Sequence, residues 1–196
     1  MLKKHILTFI YCYLLSATML GQFYAHDVVF SGQVGYKLIN ITTLRGDFTR
    51  TGNTDYSNNP VWQGTIDYGM NDFLSIGVAY SIHNTDVVFS SGEYTGEIAA
   101  RATRVDMGMR LLFHYGNRQN LDLYSGLRVG YKTDDIYPYT SSASSVGIFQ
   151  FEQDRYTWGI ALLGMRYWAF NHVALTLDIN LGRPYLANVG IATRLY

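Results

Sequence analysis

Between Asn120 and Lys132 the chain sorts its side chains onto two faces. Leu121, Leu123, Leu127, Val129 and Tyr131 fall on one, interrupted only by Ser125. Asn120, Asp122, Tyr124, Gly126, Arg128, Gly130 and Lys132 fall on the other. Alternation with period two is the mark of a β-strand. The apolar face carries no ionic residue, while the opposite face combines charge with glycine. A strand with lipid on one side and a polar interior on the other has this pattern.

The same pattern recurs along the chain. A first strand over residues 28–43 sets Phe30, Val34, Tyr36 and Leu38 against Ser31, Gln33, Gly35 and Lys37. A second, over 61–68, sets Trp62, Ile66 and Tyr68 against Gln63, Thr65 and Asp67. The third sets Leu74, Ile76, Val78, Tyr80 and Ile82 against Ser75, Gly77, Ala79, Ser81 and His83. The fourth, over 98–115, sets Val105, Met107, Met109, Leu111 and Phe113 against Arg104, Asp106, Gly108, Arg110 and Leu112. The segment from Leu121 is the fifth. A sixth over 156–169 is apolar on both faces, and Arg166 alone marks its inner side. The seventh alternates Val173, Leu175, Leu177, Ile179 and Leu181 with Ala174, Thr176, Asp178 and Asn180. The last alternates Ala187, Val189, Ile191, Thr193 and Leu195 with Asn188, Gly190, Ala192, Arg194 and Tyr196.

Connection lengths alternate as well. Short turns are expected at residues 69–72, 116–119 and 171–172, and a brief connection at Arg183-Pro184. Long loops rich in Ser, Thr, Asn and Gly are expected over 44–59, 84–97 and 133–153. Inside a bilayer every backbone polar group must find a partner within the protein, so a sheet there has to close. The expected fold is all-β: an eight-stranded antiparallel transmembrane up-and-down β-barrel. Short turns at one end and long loops at the other place both termini in the periplasm. A secreted lipocalin-like barrel would invert the pattern, with apolar side chains inside and charge outside. Glu93, Glu97 and Glu152 all fall in expected loops or at a strand end, and the only strand lysines are Lys37 and Lys132. That distribution favours lipid outside.

Residues 1–21 read as a signal peptide, with Lys3 and Lys4 before an apolar stretch and small residues after it. The barrel domain is then 22–196. The single cysteine, Cys12, falls inside the signal, so disulfides are not expected to stabilise the mature domain. Without Lys3 and Lys4 the basic count falls from 15 to 13 against 15 acids. That balance argues against a nucleic-acid partner.

The export signal, the eight alternating strands, the loop asymmetry and the terminal Ile191-Ala192-Thr193-Arg194-Leu195-Tyr196 together resemble small outer-membrane barrels of the OmpA/OmpX-like superfamily. The resemblance covers nearly the whole mature chain. It implies residence in the bacterial outer membrane, contact with outer-membrane lipid and lipopolysaccharide, and insertion by the barrel-assembly machinery. One departure is that Tyr196 stands in phase with Arg194, while the apolar series ends at Leu195.

Candidate chemistry lies mostly inside. The inward phase holds Lys37, Asp67, Arg104, Asp106, Arg110, Asp122, Arg128, Arg166, Asp178 and Arg194. An eight-stranded barrel is just wide enough for side chains to fill, and buried charge is costly unless paired. Pairs of arginine and aspartate plugging the lumen are therefore expected, with a small gated pore as the alternative. An enzymatic alternative is a barrel that hydrolyses or transfers acyl groups on lipid A, using His83 with Ser81 and Asp86, and Ser90 close by. Nothing in the spacing fixes the required contact between nucleophile and base. His114 and His172 are assigned to the membrane interface. No metal-ligand cluster or cofactor motif is present. Tyr137, Tyr139, Phe149 and Phe151, in the serine-rich loop over 133–153, are candidates for contact with an extracellular ligand.

Overall fold

The computed structural model describes residues 25–36, 53–90, 97–115, 120–141, 155–182 and 185–195. The expected signal segment, the turn at 116–119, Lys37, Phe149 and Phe151 lie outside them. Nine strands are described: β1 (Val28–Tyr36), β2 (Asn53–Asn58), β3 (Val61–Asn71), β4 (Leu74–Ser90), β5 (Glu97–His114), β6 (Leu121–Ser141), β7 (Arg155–Phe170), β8 (Val173–Gly182) and β9 (Ala187–Leu195).

They make eight staves. β2 and β3 both pair with β4 and are separated only by Asn59 and Pro60. Proline has no N–H to give to a ladder, so this stave breaks there and resumes. Neighbouring staves pair antiparallel, β1 pairs with β9, and β5 returns to β4, which closes the barrel. One hydrogen-bonded row runs from Asp122 through Arg166, Thr176, Gly190, Gln33, Gln63, Ser81 and Asp106 to Lys132. It starts and ends on β6 ten residues apart, from 122 to 132. That stagger in eight staves tilts each one by about 40° to the barrel axis.

The wall follows the alternation. Burial switches at every residue along β3, and along β8 as far as Leu181. Outward positions hold exposed Ile66, Val78, Met107, Met109, Leu127, Val129, Leu175 and Ile191. Aromatics gather toward both edges of this band: Tyr36, Trp62, Tyr131 and Tyr156 near the loop end, Tyr68, Phe73, Tyr167 and Phe170 near the turn end. Such girdles sit where lipid meets water.

Three expectations needed correction. The first turn lies at Asp72–Phe73, because β3 continues to Asn71 through an irregularity between Gly69 and Asn71. The expected long loops begin and end as strand: β4 runs on to Ser90, β5 starts at Glu97, β6 reaches Ser141 and β2 occupies 53–58. Their Thr, Val, Ile and Tyr content suits a pleated surface, and outside lipid a strand tolerates polar residues on either face. Tyr137 and Tyr139 are therefore strand residues rather than loop residues. Asp86 and Arg101 stand in the outward phase and form an exposed ion pair of 2.8 Å. The apolar band therefore ends below them. The third correction concerns β7, whose inner phase changes along its length. Thr157 and Gly159 are buried, then Gly164, Arg166 and Trp168, with exposed Leu162 and Leu163 between them. A bulge between Ala161 and Leu163 inserts the extra residue that switches the phase. That is why this segment looks apolar on both faces in sequence.

Two glycines separate the demands of wall and lumen. Gly164 lies opposite Tyr124, and a Cβ there would collide with the tyrosine ring, whereas a Cβ on outward Gly32 would meet nothing within 4 Å. Gly164→Ala should destabilise the barrel by about 1–3 kcal/mol through overpacking, and Gly32→Ala should change stability by less than about 0.5 kcal/mol. Urea unfolding of refolded protein in micelles checks both.

Candidate functional site

The lumen is filled by side chains that bond to one another. At its turn-end half, Asp67 is the shared anion. Its two oxygens take Arg110, at 3.0 Å, and Arg166, and all three side chains are buried. Arg166 also reaches Asp122 at 3.5 Å. The three positions are brought together by neighbouring staves: Asp67 on β3 stands opposite Gly77 of β4, which in turn stands opposite Arg110 of β5. The glycine between them leaves room for the carboxylate, which a Cβ would strike. The Tyr124 ring packs under Arg166, 4.6 Å from the guanidinium carbon, and beside Arg110 at 5.9 Å. Its hydroxyl donates to Asp178.

Amides link this cluster to the other half. Gln33 donates to Asp178 at 3.1 Å and accepts from Gln63 at 3.0 Å. Arg128 donates to Gln63 at 2.8 Å and pairs with Asp106. The other oxygen of Asp106 accepts from Thr157 at 3.1 Å. Tyr185, from the β8–β9 connection, is buried against Gly35. A cavity of about 30 Å³ remains among Arg110, Arg128, Asp178, Asn180 and Tyr185, space for about one water. Arg194 pairs with Asp27 at 3.3 Å and lies 3.9 Å over the Trp168 ring, tying the last stave to the chain before the first.

Near the loop end Arg104 donates twice to Asp134, once at 3.0 Å, and Lys132 donates to the same carboxylate. Lys37, assigned to this interior by its phase, lies outside the described residues.

The weak catalytic set does not assemble. His83 bonds to the Asn59 carbonyl at 3.0 Å, Ser81 to the Asp106 carbonyl at 3.4 Å, and Asp86 to Arg101. A different trio does. Ser75 Oγ lies 2.9 Å from His114 Nε2, and His114 Nδ1 lies 2.8 Å from Asp122. His114 is thus a lumen residue and not an interface residue, and its even-numbered phase with Arg110 and Leu112 was the available signal. His172 is exposed in the β7–β8 turn. The trio has the connectivity of a hydrolase triad, but Ser75 is 0 % exposed and Asp122 is held by Arg166. A nucleophile also needs substrate access and donors for the developing oxyanion. Here the trio acts as one more link in the filling of the barrel. Ser75, Tyr124, Asp134 and Tyr185 were not singled out from sequence, because uncharged or loop-placed residues carry no charge signal to mark them. Among the described residues no group of His, Cys, Asp and Glu could hold a metal.

No protein-family model matches the chain, and no curated protein does. The outer membrane protein OprG of Pseudomonas aeruginosa superposes with a TM-score of 0.57 at 12% identity, over 91% of this chain and 99% of that one. The N-terminal β-barrel domain of Pseudomonas aeruginosa OprF gives 0.46 at 14% identity, over 87% and 98%. The attachment invasion locus protein Ail of Yersinia pestis gives 0.43 at 10% identity, over 87% and 95%.

Removing the shared anion should be the most damaging change in the lumen. Asp67→Asn leaves Arg110 and Arg166 short of a buried partner, at a cost of about 3–5 kcal/mol. Arg110→Ala should fall in the same range, whereas Arg104→Ala, partly exposed near the loop end, should cost about 1 kcal/mol or less. Denaturant unfolding in micelles ranks the three. Asp134 lies beyond the apolar band, so its titration is also readable. Burial opposes its ionisation, but the Arg104 hydrogen bonds and charge, with those of Lys132, hold its carboxyl below the ordinary 3.8. A lowered carboxylate pKa adds stability above the ordinary value and loses it as pH falls through the folded one. The Asp134 clamp should therefore persist at pH 5 and release only below pH 3.8, seen as an Asp134 carboxyl-carbon NMR midpoint under that value. The fold is that of the small eight-stranded outer-membrane β-barrels.

Proposed function

We propose that the chain is an integral, non-enzymatic protein of the bacterial outer membrane that acts through its loop-end surface, with both termini in the periplasm. The observation that carries this reading is the lumen itself. Among the described residues it is occupied by side chains bonded to one another, and the cavity beside Tyr185 has space for about one water. Among the described residues, a lumen so filled leaves little room for a substrate or a column of water.

Two further features support the reading. The apolar exterior between aromatic girdles requires a lipid environment, and a closed sheet is the form of β-structure that lipid accepts. The staves β4, β5 and β6 run past that band, so ordered sheet projects from one side of the membrane. Lipid and lipopolysaccharide surround the wall, the barrel-assembly machinery inserts it, and the projecting sheet with residues 133–153 meets outside ligands. Tyr137, Tyr139, Phe149 and Phe151 are the contacts proposed on that segment.

The enzymatic alternative is testable on the same cells. Lipid A extracted with and without expression of the protein should have identical mass spectra, and a fluorophosphonate probe should leave Ser75 unlabelled. A lipid A mass change abolished by Ser75→Ala or His83→Ala would replace this reading with an acyl hydrolase or transferase.

A further inference from the structure

Two shortfalls in the lumen face the same small space. Among the described residues Asp178 is 2 % exposed and has no ion pair. Its bonds come from neutral donors: the Tyr124 hydroxyl, the Gln33 amide at 3.1 Å and the Asn188 amide at 3.3 Å. Arg110 is short of acceptors instead. A guanidinium carries five N–H donors. That of Arg110 is buried and meets Asp67 at 3.0 Å, yet its Nε–H has no hydrogen-bond acceptor. Arg128, directly opposite on β6, donates to Gln63 and Asp106, and its Nε–H is likewise left over. Asn180 donates to Asn188 at 3.4 Å, which leaves its carbonyl oxygen to accept. A buried donor or acceptor left unsatisfied keeps its whole desolvation cost. All four residues line the cavity of about 30 Å³ beside Tyr185.

We infer that this cavity is the binding site of one ordered water, which accepts from Arg110 and Arg128 and donates to Asp178 and Asn180. The lining itself selects the ligand. A halide or a phosphate oxygen would satisfy the guanidinium groups and be repelled by Asp178. A metal or ammonium cation would satisfy Asp178 and be repelled by both arginines. An apolar group would leave all four without partners. Water has two lone pairs and two protons, and its share of the liquid volume is about 30 Å³. It bridges buried polar groups nearly as well as a direct hydrogen bond does. Through it Asp178 gains contact with two cations that it does not touch directly, and β8 is joined to β5 and β6. The water is a fixed part of the filling.

The test is nuclear magnetic resonance of the refolded chain, isotope-labelled at arginine, in deuterated micelles. Rotating-frame dipolar cross-peaks, opposite in sign to those of exchange, should join water to the guanidinium protons of Arg110 and Arg128. Ala161→Val puts methyl groups into the cavity that Ala161 lines and should abolish both cross-peaks. Asn180→Leu replaces an acceptor in the lining by an apolar side chain of similar size and should do the same. The result then does not hang on the folding of one variant. Gly32→Ala, on the outer wall where a Cβ meets nothing within 4 Å, should keep both. A wild type without these cross-peaks would overturn the site, as would cross-peaks that persist in the folded filling variants. Resonance shifts at Arg110 and Arg128 when bromide replaces sulfate would make the occupant an anion and overturn the assignment to water.

Discussion

The rest of the structure depends on the need to pair every backbone N–H and C=O inside a solvent that offers no partners. A β-sheet meets that need in lipid only by closing, and closure with eight staves and a ten-residue stagger fixes a narrow lumen. From there the interior has little choice. Outward positions must be apolar, inward positions must fill a confined space, and any inward charge must be satisfied by another inward side chain.

Asp67 is the point where those demands meet. One carboxylate holds two arginines from two other staves, and the room for it comes from Gly77 directly opposite. Tyr124 fills the neighbouring space because Gly164 leaves a place for its ring. The bonds spread from these residues to β1, β8 and β9, so the filling crosses the barrel as well as lining it. The Ser75–His114–Asp122 trio belongs to the same logic. It has the connectivity of an activated serine, and its burial makes it part of the filling of the lumen.

Much of this could be read from alternation. The outward rows on β1, β3, β4, β5, β6, β8 and β9, and the inward placement of Asp67, Arg110, Arg128 and Asp178, follow from period two and require no tertiary information. The bulge in β7 could not be read, because one inserted residue reverses the phase and leaves both halves apolar in the linear pattern. Strand ends were also hidden. Outside lipid the constraint on outward positions vanishes, so Ser, Thr and Asn no longer separate strand from loop in β4, β5 and β6. Partner choice was the third thing missing. Sequence places Arg166 and Asp67 on inward faces 99 residues apart, but only the stagger of the staves brings them together. The strand-end position of His114 suggests the membrane interface, although its phase with Arg110 points inward.

A sealed lumen is the central claim, and ionic current through single molecules tests it most directly. With the refolded protein in a planar bilayer under an applied voltage, the structure predicts a baseline with no steady unitary current. Reproducible, long-lived unitary steps from the wild type would contradict it, because they would require the Asp67, Asp178 and Asp106 clusters to part and admit a continuous column of water.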